Sequence, residues 1–386
     1  MAIQPQIIAV GGGKGGVGKT LISLATSLAL AELGKTVTLI DADLGGANLH
    51  SMLGVHTPGK SLYDFFRNKD IDFSSLITPT PVPNLNLICG APGAIGMANI
   101  HYWEKLKTIR LFRQLNSDFV VVDLGAGTSL NEIDLFNASH QGIVVAQPEP
   151  PAIQECYNFI KLTLFRRLHM EFMDTPWVLR LLDECGDPTH NRDHRLISTL
   201  AEQVRAHDIR LGMRFYRLIN NYTPHLILNQ IQNKEEIMDG LSLQIAVQDL
   251  LRIKLEFWGY LPNDHEIYKS IRSSRPDAII SSSGDVRKNI IKIVKRFILH
   301  EDKNRDKSEK NSFVPLLDFL TRQDKKDDDM DRICSIECPL WGKCDYQEGG
   351  LYCRMPENEY RAKIKQAATR GDRDDRIRNH LGIRRN

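Results

Sequence analysis

Gly13-Lys14-Gly15-Gly16-Val17-Gly18-Lys19-Thr20 satisfies the pattern G-x-x-x-x-G-K-[ST], and the chemistry of that pattern is phosphate binding. Glycines let the backbone wrap around phosphate oxygens, so that successive N–H groups point inward at a nucleotide. Lys19 supplies a cation to the β- and γ-phosphates, and the Thr20 hydroxyl can ligate Mg2+. A glycine-rich turn that binds nothing is the competing reading, and context argues against it. The loop follows the apolar run Ile7-Ile8-Ala9-Val10 and opens a helical window over residues 21–33, closed by Gly34. Lys14 is a second lysine where the pattern requires none. A cation there faces phosphates already served by Lys19 and is better used on the nucleotide of an apposed subunit.

A second chemical feature is Cys334-x3-Cys338-x5-Cys344-x8-Cys353, with Pro339, Gly342, Gly349 and Gly350 among the thiols and Trp341, Leu351 and Tyr352 for a small core. Such a segment cannot bury enough apolar area to fold alone, and a metal would supply the missing stabilisation. Zn2+ and a 4Fe–4S cluster both take four sulfurs. The spacing matches neither a CxxC knuckle pair nor a ferredoxin run, so zinc, iron–sulfur and no metal all stay open. Cys89, Cys156 and Cys185 are scattered and read as core thiols.

The elements that must position these residues are legible as short apolar runs bounded by turn formers, at residues 7–10, 36–40, 85–88, 119–122, 142–146, 226–228 and 257–261. Strands separated by helical windows predict an α/β fold: a mostly parallel, doubly wound sheet with helices on both faces. Ligands bind such sheets at the carboxyl ends of the strands, where this sequence places Gly11–Gly13, Asp41, Asp123, Gln147, Asn229 and Asn263. Residues 1–300 read as this domain, with a helical insertion at about 158–222. Residues 301–331 read as a charged linker carrying a short apolar patch at 313–320, and residues 332–386 as a small Cys-rich extension with a basic tail.

Composition removes several classes. Among 386 residues, 42% apolar and 25% charged exclude wholesale disorder and fibrous repeats. Lys+Arg 50 against Asp+Glu 48 leaves +2, so any basic surface must be local, as in residues 354–386 with ten Lys/Arg against five Asp/Glu. No apolar run approaches the roughly 18 residues of a membrane span, and the first residues lack a signal peptide's pattern. A cytoplasmic location follows as an expectation, with the cysteines as free thiols or metal ligands rather than disulfides.

The Lys14–Lys19 pair resembles the deviant Walker A motif of the ParA/MinD family of ATPases. Asp41-Ala42-Asp43-Leu44-Gly45-Gly46-Ala47-Asn48 is similar to that family's switch I, and Asp123-Leu124-Gly125-Ala126-Gly127 to Walker B running into switch II. Gln147-Pro148-Glu149-Pro150 and Leu228-Asn229-Gln230 lie where the family approaches adenine and ribose. Trp258-Gly259-Tyr260-Leu261-Pro262-Asn263-Asp264 resembles its loop beside the base. The likeness covers roughly residues 5–300 outside the insertion and is greatest to the MinD/FlhG branch, which places division sites and flagella. Flagellar members carry an N-terminal activating extension, whereas here the first strand starts at about residue 6, which weakens a flagellar assignment.

The resemblance implies Mg-ATP as the ligand, with Thr20, Asp41 and Asp123 near Mg2+, Asp43 positioning the attacking water, and Asn229, Pro262 and Asn263 beside the base. It implies a homodimer bridged by ATP, with Lys14 reaching across, and slow hydrolysis until a protein partner stimulates it. Attachment at the inner face of the membrane is one possible surface and nonspecific DNA another. Residues 286–299 alternate apolar and basic residues, and the last helix of the core is the preferred reading over a membrane-surface helix. An iron–sulfur carrier or reductase of the same superfamily is one rival, although residues 124–130 contain no cysteine. An adaptor that reads ATP without hydrolysing it is the other.

Overall fold

All seven apolar runs are strands of one sheet. In the computed structural model the described residues are 4–43, 46, 48–56, 59–68, 70–90, 108–186, 197–265 and 284–300, with isolated positions 267, 269, 340, 355, 359, 362, 363 and 366. The strands are β1 (Gln6–Gly11), β2 (Val37–Ala42), β3 (Ile77–Pro79), β4 (Leu85–Ile88), β5 (Phe119–Leu124), β6 (Gln141–Ala146), β7 (His225–Ile231) and β8 (Glu256–Pro262). Their spatial order is β3-β4-β2-β5-β1-β6-β7-β8. Every pairing is parallel except that of the short edge strand β3 with β4. Strand β3 has no apolar run to announce it, and it ends in Pro79, a residue without an N–H that a sheet tolerates at its edge.

Burial on both faces explains why the strands read as continuous apolar runs. Ile7, Ala9, Ile40, Val120, Val122, Val144 and Leu226 enter one core layer. Their chain neighbours Ile8, Val10, Leu39, Val121, Ile143, Val145 and Ile227 enter the other. Helix α1 (Lys19–Glu32) lies in the second layer, with Ile22, Leu24, Leu28 and Leu30 fully buried, and it stops at Gly34 with φ +78°. Two short helices follow, α2 (Leu49–Met52) and α3 (Leu62–Arg67), and α4 (Leu130–Asn137) comes after β5.

Between β6 and β7 run four helices: α5 (Pro150–Glu171), α6 (Pro176–Gly186), α7 (Ile197–His207) and α8 (Ile209–Asn221). Phe159, Ile160 and Leu164 of α5, Leu182 of α6, Leu200 and Val204 of α7, and Phe215 and Ile219 of α8 join the first core layer. The helical stretch is thus continuous with the sheet's own core. Helix α9 (Ile237–Leu251) connects β7 to β8.

Helix α10 (Asp285–Ile293) continues as a π-helical turn, Val294–Ile298. Its apolar stripe of Val286, Ile290, Ile293, Val294 and Ile298 is buried against α1 and β8. Those residues are used by the core, as the preferred reading required, and are not available to a membrane. Among the described residues no helix is long and apolar enough to cross a bilayer.

The chain divides into two units, Met1–Ile100 with Lys107–Leu317, and His101–Leu106 with Asp318–Asn386. The first holds everything above. In the second, Leu340 and Met355 are buried and Lys363 pairs with Glu359 at 3.1 Å. The apolar patch 313–320 and Cys334, Cys338, Cys344 and Cys353 lie outside the described residues.

Candidate nucleotide site

Strand β1 runs straight into the glycine loop, and the loop ends where α1 begins. Gly18 stands at the N-cap of α1 with φ +95°, and no side chain caps the helix there, so the first amides remain free to bind an anion. A side chain at Gly18 would also collide with the Asn229 amide. At Gly13 the Cβ would run into the backbone carbonyl of Glu155 in α5. The loop is held from outside as well. Asn229 Nδ2 donates to the Val17 carbonyl at 2.9 Å, and Gln147 Nε2 donates to the Gly16 carbonyl at 3.2 Å.

Lys19 is 7% exposed, and its Nζ donates to the Lys14 carbonyl at 3.1 Å. Burial pulls its pKa down, and the nearby charges of Asp123, Asp43 and Glu132 oppose that shift. Lys14 is different: its ammonium pairs at 3.2 Å with Glu149, and both side chains are substantially exposed at 38% and 58%. Exposed pairs of this kind contribute about 0–1 kcal/mol, so Lys14 is released at little cost.

Sheet register brings the two strand-end carboxylates together. Asp41 of β2 and Asp123 of β5 are directly paired positions. Both are buried, Asp41 at 2% and Asp123 at 1% exposure. Ser23 Oγ donates to Asp123 Oδ1 at 2.8 Å, and the Thr20 hydroxyl also hydrogen-bonds Asp123. The backbone N–H groups of Leu49 and Asp43 donate to Asp41 at 3.1 and 3.3 Å. Burial pushes Asp123 up to about 7, helped by the charge of Asp41. Burial likewise pushes Asp41 up to about 6, with the charge of Asp43 adding to it. Burial also pushes the Cys89 thiol, near Asp41, up to about 12.

Asp43 lies beyond the end of β2 with its carboxylate against Gly46 and Gly125. Pro262 ends β8 and Asn263 follows it, where the Asn263 N–H donates to the Ile231 carbonyl at 2.9 Å. The loop, Asp41, Asp43 and Asp123 therefore sit around the ends of β1, β2 and β5, while Asn229, Pro262 and Asn263 sit at the ends of β7 and β8. Gln147 and Glu149, read from the sequence as base-side residues, contact the loop itself here. Ser23 escaped the sequence reading; its one signal was a serine one turn after Lys19, in a helix that also carries Thr26 and Ser27. Among the described residues no group of three or more His, Cys, Asp or Glu forms a metal cluster.

This geometry has relatives. Residues 4–173 match the ParA family model described as NUBPL iron-transfer P-loop NTPase. The chain is 37% identical over 275 residues to the antiactivator FleN of Pseudomonas aeruginosa, covering 70% of this chain and 78% of FleN. The chain belongs to the ParA family of P-loop NTPases. It is also 34% identical over 162 residues to the flagellum site-determining protein YlxH of Helicobacter pylori, covering 41% of this chain and 53% of that one. A septum site-determining protein MinD from Synechocystis sp. is 32% identical over 163 residues, covering 41% and 59%. Within the family, the fold is shared with the MinC:MinD cell division complex of Aquifex aeolicus. That match has a TM-score of 0.52 at 21% identity and covers 78% of this chain and 98% of that one.

Proposed function

We propose that this chain is an Mg-ATP-dependent switch that hydrolyses ATP to ADP and phosphate and thereby controls where a partner is placed. One convergence carries the reading: uncapped loop amides, buried Lys19, Thr20 and the paired carboxylates Asp41 and Asp123 meet at the carboxyl end of the central strands. Oxygen donors of this kind suit Mg2+, which when bound would neutralise phosphate charge. Thr20, Asp41 and Asp123 would hold the ion, directly or through water. Lys19 and the loop amides bind the β- and γ-phosphates. Asp43 orients the water that attacks the γ-phosphorus. Asn229, Pro262 and Asn263 flank the base.

Two copies then face each other across this end of the sheet. The weak Lys14–Glu149 pair opens, and Lys14 reaches the partner copy's nucleotide. Hydrolysis releases the pair, so the output is location rather than product. Relatives named for septum and flagellum site determination support that output. We assign the ATPase domain to residues 1–300, the linker to 301–331 and the terminal module to 332–386. A protein partner stimulates turnover, and the dimer attaches to a surface, with the membrane's inner face preferred over DNA. The iron-transfer description of the family model matched over residues 4–173 favours an iron–sulfur carrier as the second reading; the thiols proposed for it, Cys334, Cys338, Cys344 and Cys353, lie beyond the matched residues.

Lys14→Ala is expected to bind Mg-ATP but to stay monomeric when gel filtration is run with and without ATP, while the parent chain shifts to a dimer. Dimerisation of the variant on ATP would reject the crossed-lysine arrangement. A second prediction follows from the raised carboxylates. Protons and Mg2+ compete for the same oxygens, so Mg-ATP affinity is constant above about pH 8 and weakens as Asp123 and then Asp41 protonate. The loss should approach about tenfold per pH unit for each proton taken up. Titration of a fluorescent ATP analogue at stepped pH measures it, and equal affinity at all pH values would remove Asp41 and Asp123 from the ion's site.

A further inference from the structure

Gly125, two residues after Asp123, is flanked by two carboxylates. A Cβ built on it would lie 3.3 Å from Asp43 Oδ1 and 3.3 Å from Glu132 Oε1. Asp43 arrives from the loop after β2, and Glu132 from the first turn of α4. Both charges are felt at the buried ammonium of Lys19. Ser129, the N-cap of α4, donates its hydroxyl to Glu132 and accepts from the Asn131 N–H at 3.2 Å. The serine hydroxyl thus fixes where the Glu132 carboxylate points.

We propose that Glu132 is a second carboxylate that orients the attacking water, acting with Asp43 beside Gly125. This rests on the ATPase reading above. A water lying between the two donates one hydrogen bond to each and keeps its protons until attack, which leaves an oxygen lone pair for the γ-phosphorus. The new bond joins that oxygen to the γ-phosphorus. The bond from phosphorus to the β–γ bridging oxygen breaks, its electron pair leaves with ADP, and the water's proton passes through a carboxylate to the departing phosphate. A single carboxylate leaves the water free to rotate about one hydrogen bond, whereas two from different elements fix its direction. The same carboxylates repel the nucleotide's phosphates, so Glu132 serves turnover at the expense of affinity.

The rival role for Glu132 is structural, since Ser129-x-x-Glu132 has the form of a capping box. Glu132→Gln separates the two, because glutamine serves a capping box as well as glutamate but lacks the charge. For Glu132→Gln we expect turnover to fall about 10–100-fold, within the usual range for a proton-handling side chain. KM and the dissociation constant for a fluorescent ATP analogue should be equal or lower, and the thermal melt unchanged. Glu132→Asp, with a shorter reach, should recover part of the turnover. Parent-like turnover in Glu132→Gln overturns the proposal while leaving the ATPase reading intact. A lowered melt with weakened nucleotide binding overturns it in favour of the capping role. If the parent chain binds ATP and never hydrolyses it, the ATPase reading fails, and Glu132 with it.

Discussion

Lys19→Ala is expected to abolish measurable turnover and to weaken Mg-ATP binding by at least about two orders of magnitude. The ammonium is buried at the head of α1, and its hydrogen bond there runs to the Lys14 carbonyl. Phosphate oxygens are stronger acceptors than an amide carbonyl, and a charge-assisted hydrogen bond is worth about 1.5–3 kcal/mol. Serving both β- and γ-phosphates doubles that contribution. The effect on folding has the other sign. Burial disfavours the charged form of Lys19, as the lowered pKa shows, so removing it relieves a desolvation cost. Calorimetric titration with Mg-ATP alongside a thermal melt checks both halves. An alanine variant that melts like the parent or higher but takes up no nucleotide is the expected outcome. Retained affinity would place the phosphates elsewhere.

Phe159→Ala is the largest stability effect expected outside the loop. Its ring meets that of Phe136 edge-on, with centroids 5.0 Å apart and planes at 86°. Both rings pack over Gly11, the last residue of β1 before the phosphate loop, where a built Cβ would lie 2.8 Å from Phe159 Cζ. Phe159 is fully buried in the layer that joins α5 to the sheet. Truncation leaves a ring-sized cavity and should cost about 3–5 kcal/mol, with a fall in Tm of roughly 5–8 °C. Because the cavity opens beneath the strand that delivers the loop, nucleotide affinity should fall with it. An unchanged melt would mean that the helices close over the gap.

Much of the fold was legible because its signals are local. Runs such as Phe119-Val120-Val121-Val122 are apolar on both faces only if both faces are covered, which specifies a sheet between two helical layers. Strand β3 was not legible, since Ile77-Thr78-Pro79 is held by pairing with β4 rather than by any run of its own. The membrane-like periodicity of residues 286–299 allowed two readings because amphipathic spacing reports an apolar face and not what covers it. Packing on α1 and β8 decided between them.

What the sequence determined by itself is the contiguous chemistry: a phosphate loop whose amides, lysine and threonine are fixed relative to one another by one turn and one helix start. What the tertiary structure decided is every relation across strands. Asp41 lies beside Asp123 because β2 and β5 are neighbours, although β3 and β4 intervene in the chain. Asn229 reaches Val17, Glu149 reaches Lys14, and Glu132 and Asp43 both come to Gly125 through the same packing of distant segments. Loop chemistry depends on near neighbours in the chain. Strand order is set by how whole layers bury their apolar faces, and no single segment carries that information.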